Sequence, residues 1–224
     1  MHQRIHLLII VCLMCPNYWT QVNIRFETQV NDTFFIDTNQ SNNDSYIIET
    51  FKFYISDLSF YRKNQIIYKS SERFLLVDLI NPSKSHFILE DASDLNFDEV
   101  RFSIGIDSLT NYKGVSGGAL DPLNGMYWTW KSGYINFKLE GELKEQSKKF
   151  QYHIGGYQYP EKTLQDISLK CNFIDSNNLI IITIDLDQLF ESLPSSFPNV
   201  IMSTGENAKI FAGLLPPIFS IQTE

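Results

Sequence analysis

The sequence predicts an all-β protein, built as an antiparallel β-sandwich or a barrel-like domain. Three observations support this prediction: many short runs alternate between apolar and polar residues, polar and glycine-containing segments separate those runs, and helical periodicity is scarce. Each alternating run has one apolar face, as a strand does when one side of its sheet packs on a core. The runs lie at residues 22–27, 51–56, 58–60, 100–107, 134–140, 150–154, 167–173 and 180–186. One or two short helices are expected near the C-terminus, over residues 187–193 and 207–214.

The composition fits one folded domain of ordinary size. The chain has 224 residues, of which 43% are hydrophobic and 14% aromatic, so it can bury a substantial core. Its formal net charge is −8, and it has no cluster of Lys and Arg that could follow a phosphate backbone. We therefore expect no nucleic-acid partner.

The N-terminus resembles a secretory signal. A short basic head is followed by the apolar run Leu7 to Met14, which Pro16 then ends. The run is too short to span a bilayer, which takes about 20 residues. These features predict a signal peptide over residues 1–20, a single domain over residues 22–224, and export to the periplasm or the medium. Cys15 is a candidate lipidation site, but Leu13 and Met14 lack the small residue that such a site prefers. The alternative is a buried N-terminal strand.

The densest aromatic stretch of the chain runs from residue 117 to residue 141. Five glycines bracket it, which indicates tight turns or close backbone approach. Trp128 and Trp130 are two residues apart, so in an extended strand they would point to the same face. Such a face either packs on the core, lines a site, or binds a partner.

This stretch resembles the central signature of the MbnP-like family, which is named for a protein encoded with methanobactin systems. The matching residues run from Gly125 to Tyr134 and continue as Lys138-Leu139-Glu140-Gly141. Further similarity to the family lies at residues 53–56, 102–109, 152–157, 200–203 and 211–219. The resemblance thus covers nearly all of the chain after the predicted signal, in the same order.

The resemblance implies an exported, β-rich protein associated with copper. In members of this family a Trp is oxidised to kynurenine, and the product joins histidines in holding the metal. The partner that performs the oxidation is a dihaem enzyme of the MbnH type, and an outer-membrane transporter system is a further implied partner.

Candidate site residues follow from this resemblance and from the chemistry of the side chains. Imidazole suits copper, so His153 and His86 are the candidate ligands. The alternative for His153 is a hydrogen-bonded residue in a strand-end turn, and for His86 a surface residue. Trp128 and Trp130 are candidates for oxidation or for lining the site, and otherwise core aromatics. Met126 could supply soft sulfur, although lone methionines usually serve packing.

One departure from the family pattern bears on copper binding. Members often carry a His in a strand that aligns with residues 74–78, and here Leu75 stands at that place. A site with two imidazoles would then need His86 or an exogenous ligand. The chain after residue 22 contains no HExxH, P-loop, GxSxG or CxxC motif, so we expect no enzymatic activity. The alternative to copper binding is an exported interaction module that has lost the metal.

Overall fold

The computed structural model describes residues 22–30, 33–35, 46–90, 92, 95–131, 133–144, 147–175 and 179–222. The predicted signal peptide, including Cys15, lies outside these residues. The strands are, in chain order, β1 (Val22–Val30), β2 (Thr33–Phe35), β3 (Tyr46–Arg62), β4 (Gln65–Lys69), β5 (Phe74–Asp78), β6 (His86–Leu89), β7 (Asn96–Ile104), β8 (Tyr127–Trp128), β9 (Gly133–Leu143), β10 (Lys148–Gly155), β11 (Gln165–Asp175), β12 (Leu179–Asp185), β13 (Val200–Ile201) and β14 (Phe219–Ile221). The helices are α1 (Ser108–Lys113), α2 (Leu186–Ser192) and α3 (Glu206–Gly213).

The strands form two sheets, which confirms the all-β, sandwich-like class. The smaller sheet has the order β14-β12-β1-β2, with β6 also paired to β1. The larger has the order β11-β7-β3-β9-β10-β13, with β4 and β5 paired to β3 and β8 paired to β9. Most pairs are antiparallel as predicted, but β1–β12 and β10–β13 are parallel. Parallel pairs require long connections, and both pairs join strands that are far apart in the chain.

The main core lies between the two sheets and is dense in aromatic rings. In β1 the predicted alternation is confirmed, since Val22, Ile24 and Phe26 are all fully buried. The ring of Phe26 meets that of Phe53 from the larger sheet edge-to-face, with 5.8 Å between ring centroids. Such pairs stabilise the core beyond the burial of their apolar area. The hydrophobic effect thus fixes which face of each sheet points inward.

The two predicted C-terminal helices are confirmed as α2 and α3. Helix α2 begins after Asp185, whose carboxylate accepts a hydrogen bond from the backbone N–H of Gln188 at 2.8 Å. Helix α1 was not predicted. It begins after Asp107, which accepts from the N–H of Thr110 at 3.0 Å. Within the described residues, no helix has both the length and the apolar character needed to cross a membrane.

A cap segment, residues 106–128, covers part of the outer face of the larger sheet, the face that points away from the main core. It consists of α1, two 3-10 turns at Gly118–Leu120 and Pro122–Asn124, and the short strand β8. Its apolar side chains pack on outer-face residues of the sheet. Together they form a second, smaller cluster, here called the cap core: Tyr54, Leu76, Ile106, Leu120, Met126, Trp128, Tyr134 and Ile135.

Candidate functional site

His153 lies on β10 and points to the outer face of the larger sheet. Its neighbours Tyr152 and Ile154 belong to the main core, so the alternation of the strand places His153 on the opposite side. The side chain is nonetheless buried, with 6% of its residue surface exposed. The imidazole is therefore shielded from most of the solvent.

The imidazole of His153 is paired with a carboxylate from the neighbouring strand. Its Nε2 lies 2.7 Å from Oε1 of Glu140 on β9. The strands pair antiparallel with His153 opposite Lys138 and Gln151 opposite Glu140. Glu140 is thus the diagonal neighbour of His153, a separation that long side chains can bridge. The Lys138 Nζ also lies 3.8 Å from Glu140 Oε1.

The electrostatics of this pair assign a tautomer to His153. Burial and the positive charge of Lys138 lower the pKa of His153, whereas the hydrogen bond to Glu140 raises it. Burial is the largest of these effects, so the pKa of His153 lies below its usual value. For Glu140, burial acts to raise the pKa, but hydrogen bonds from Thr50 and His153 and the charge of Lys138 outweigh it and hold the pKa low. At neutral pH a neutral imidazole therefore donates from Nε2 to an ionised carboxylate. This leaves the lone pair on Nδ1.

The indole of Trp128, from β8, packs against Gly155 of β10, which is two residues after His153. A methyl group at Gly155 would come within 2.7 Å of Cζ3 of Trp128, so the ring occupies the space that the glycine leaves. Two residues of a strand span about 7 Å. The indole of Trp128 therefore lies over β10 two residues along the strand from His153. Trp128 is only 5% exposed, and its buried Nε1 has no hydrogen-bond acceptor among the described residues.

Trp130 does not share the environment of Trp128. The interpretation of both residues as one face of an extended strand is wrong, because β8 ends at Trp128 and residues 129–131 form a turn. Trp130 is 65% exposed, and its ring contacts that of Trp128 with 5.7 Å between centroids. Met126, by contrast, is fully buried in the cap core beside Trp128.

The second candidate imidazole lies elsewhere. His86 is exposed at the start of β6, in the smaller sheet, where it pairs with Arg25. Leu75 on β5 packs against the main core. In the part of the chain that the structure describes, no cluster of three or more His, Cys, Asp or Glu side chains could hold a metal ion. The structure thus places Trp128 against Gly155, two residues from His153, and Met126 in the same cluster as Trp128, whereas His86 lies in the other sheet.

Glu140 is the site residue whose role the sequence reasoning missed. Its carboxylate contacts Lys138 as well as His153. The contact with His153 could have been predicted from the β9–β10 hairpin. The hydrogen bond from the N–H of Ser147 to the carbonyl of Lys144 closes this hairpin, and the resulting register places Glu140 diagonal to His153.

Comparisons with known proteins agree with this fold. The model of the MbnP family matches residues 20–204 of the chain. The solved structure of MbnP from Methylosinus trichosporium is similar, with a TM-score of 0.58 and 14% sequence identity, covering 90% of this chain and 97% of that chain. At this identity the structural similarity speaks for the fold alone. No curated protein matches the sequence.

Proposed function

Because the chain belongs to the MbnP family, we propose that it is an exported copper-binding protein whose metal site is centred on His153. The observation that carries this proposal is the pair of buried His153 with partly buried Glu140, on a strand against which Trp128 packs two residues further along. A carboxylate that accepts from one nitrogen of an imidazole orients the ring and raises the basicity of the other nitrogen, as is usual around metal-bound histidines. The role is binding rather than catalysis, and the proposed location is the periplasm or the medium.

The donor set fits copper in its chemistry, although it is small. The Nδ1 of His153 would be the imidazole ligand, and the sulfur of Met126, which lies in the cap core with Trp128, is of the soft donor type that suits Cu(I). One imidazole and one thioether leave room for a further ligand. The family resemblance supplies one, a kynurenine made from Trp.

Trp128 is the residue that we assign to this modification. Its indole packs on Gly155, two residues from His153, whereas Trp130 is largely exposed. A buried donor without an acceptor costs about 1–3 kcal/mol, and Nε1 of Trp128 is such a donor. Conversion to kynurenine opens the five-membered ring with loss of the C2 carbon, and it turns the indole N–H into an aromatic amine that can donate a hydrogen bond to the new ketone of the same side chain. The proposed partners are a dihaem oxidase of the MbnH type and an outer-membrane transporter system.

A copper titration tests the metal site. Copper should be taken from a chromogenic chelator by the wild-type protein and by His86→Ala, and His153→Ala should lose this ability. His86 is the matched control, because it is the other described histidine and lies exposed in the other sheet. Equal affinity of the two variants for copper would contradict the assignment of His153.

Coexpression with the dihaem oxidase tests the modification. Intact-mass measurement should show the loss of one carbon and the gain of one oxygen in the wild type and in Trp130→Phe. The shift should be absent in Trp128→Phe. A shift that survives in Trp128→Phe and disappears in Trp130→Phe would assign the exposed residue instead.

A second candidate function is an exported interaction module without metal. The observation that favours it is the placement of His86 and Leu75, which leaves His153 as the one described imidazole on the outer face. This candidate predicts no copper affinity before or after exposure to the oxidase. It also predicts that His153→Ala leaves binding of the module's partner unchanged.

A further inference from the structure

A cleft of about 140 Å³ opens where three loops meet at one end of the larger sheet. The loops are the turn between β8 and β9, the β10–β11 connection at residues 156–164, and the segment at residues 202–205 before α3. Loops held by a rigid sheet often carry binding sites. His153 does not line this cleft, but Trp128 does, so the cleft shares that one side chain with the proposed metal site.

One wall of the cleft is aromatic and firmly held. It is lined by Trp128 and Tyr134, both buried in the cap core, and by the half-buried Tyr157. The ring of Tyr157 packs so closely on Gly133 that a methyl group there would lie 3.3 Å from its Cε1. The carbonyl of Tyr157 accepts a hydrogen bond from Oγ of Ser108 at 2.5 Å. These contacts fix the wall before any ligand arrives, which reduces the entropy lost on binding.

The opposite wall is polar and carries both signs of charge. Lys131 Nζ lies 3.8 Å from Glu161 Oε2, and the hydroxyl of Thr204 accepts from Lys131 and donates to Glu161. The side chains of Lys131 and Glu161 are both partly exposed, so a ligand can reach them. A strong donor and a strong acceptor therefore stand side by side, with no net charge between them.

This combination selects one ligand chemistry. A ligand with a single net charge would be attracted by one member of the Lys131–Glu161 pair and repelled by the other, so it gains little from the pair. A hydroxyl group both donates and accepts, so neighbouring hydroxyls can bond to Glu161 and Lys131 together. Flat apolar ring faces pack on aromatic walls, and the volume admits one ring of this kind. We propose that the cleft binds a single neutral sugar ring, free or at the end of a glycan.

Ligand-observed NMR with the full-length exported protein tests this proposal. The probes are glucose, galactose, N-acetylglucosamine and their methyl glycosides, the last as stand-ins for a glycan end. At least one should show saturable binding with a Kd on the order of 1 mM, as expected for so few ligand atoms. Binding of the free sugars alone would assign a free ligand, and binding of the methyl glycosides as well would assign a glycan end.

Two variants and one control locate the binding. Tyr157→Ala should weaken binding by about tenfold, because it removes part of the aromatic wall. Glu161→Gln keeps the shape of the polar wall, removes its charge and should weaken binding several-fold, which provides a test even if Tyr157→Ala does not fold. Tyr159→Ala is the matched control, since Tyr159 is 96% exposed and does not line the cleft. The absence of saturable binding for all probes at tens of millimolar, or equal binding by Glu161→Gln and the wild type, would overturn the proposal.

Discussion

Replacement of Gly155 by alanine tests whether Trp128 packs on β10 beside His153. A methyl group there would lie 2.7 Å from Cζ3 of Trp128 and 2.7 Å from the carbonyl oxygen of Tyr134. Both distances are well below the roughly 3.5–4.0 Å at which non-bonded heavy atoms attract each other best. The indole could move aside, but the carbonyl belongs to the backbone of β9 and is held by the sheet.

The expected loss of stability follows from two opposing effects. Overpacking a well-packed site costs about 1–3 kcal/mol. Alanine also restricts the unfolded chain relative to glycine, which returns about 0.4–1 kcal/mol. We therefore expect Gly155→Ala to lower the free energy of unfolding by about 1–2 kcal/mol.

Urea unfolding followed by Trp fluorescence measures this change, and near-UV circular dichroism reports the displaced indole. Gly213→Ala is the control, because a methyl group at the end of α3 would meet no atom within 4 Å outside its own helix. It should leave stability unchanged or raise it by up to about 1 kcal/mol. In a double-mutant cycle, Trp128→Phe should cost less in the Gly155→Ala background than in the wild type. Wild-type stability and an unchanged near-UV spectrum in Gly155→Ala would refute the packing of Trp128 on this strand.

Three further predictions concern the cap and the site. Met126→Ala should lower the free energy of unfolding by about 2–5 kcal/mol, because the side chain is fully buried in the cap core. Leu123→Ala, at a position 93% exposed, should change the free energy of unfolding by less than about 0.5 kcal/mol. Urea unfolding compares the two variants, and equal effects would contradict the buried placement of Met126. Asp107→Ala should lower the free energy of unfolding by about 1 kcal/mol, because α1 loses its N-terminal cap. Asp107→Asn keeps an acceptor oxygen and should lower it by less in the same assay. The reverse order of the two variants would contradict the capping role of Asp107. Because the folded-state pKa of Glu140 lies below its unfolded value of about 4.3, its carboxylate stabilises the fold above that pH, and the contribution is lost as the pH falls toward the folded-state pKa. Glu140→Gln should therefore be less stable than the wild type at pH 7 but lose less stability on acidification from about pH 5 to pH 3, and urea midpoints that fall in parallel would contradict this.

The fold class and the core strands could be predicted because burial on one side of a sheet leaves a period of two in the sequence. In β1 this pattern marks Val22, Ile24 and Phe26, and all three are buried. The parallel pairing of β1 with β12 could not be predicted, because alternation specifies which face is buried but not which distant strand lies alongside. Helix α1 is only six residues long, too short for helical periodicity to show, and Asp107 was its main signal.

The candidate site was predicted in part. The strand placed His153 on a definite face, and the local pattern was sufficient for that. The pairing of Trp128 with Trp130 on one face failed, because the chain turns at residues 129–131 and tertiary packing buries only the first indole. The contact of His153 with Glu140 depends on the register between two strands, which neither strand encodes alone.

The proposed copper site beside His153 and Trp128 is tested most directly by anomalous X-ray scattering at the copper absorption edge. The crystals would be grown with copper from protein coexpressed with the dihaem oxidase. An anomalous peak next to Nδ1 of His153 and the modified side chain of Trp128 is the predicted result. A peak at His86, or no peak anywhere in copper-saturated crystals, would contradict the proposed site.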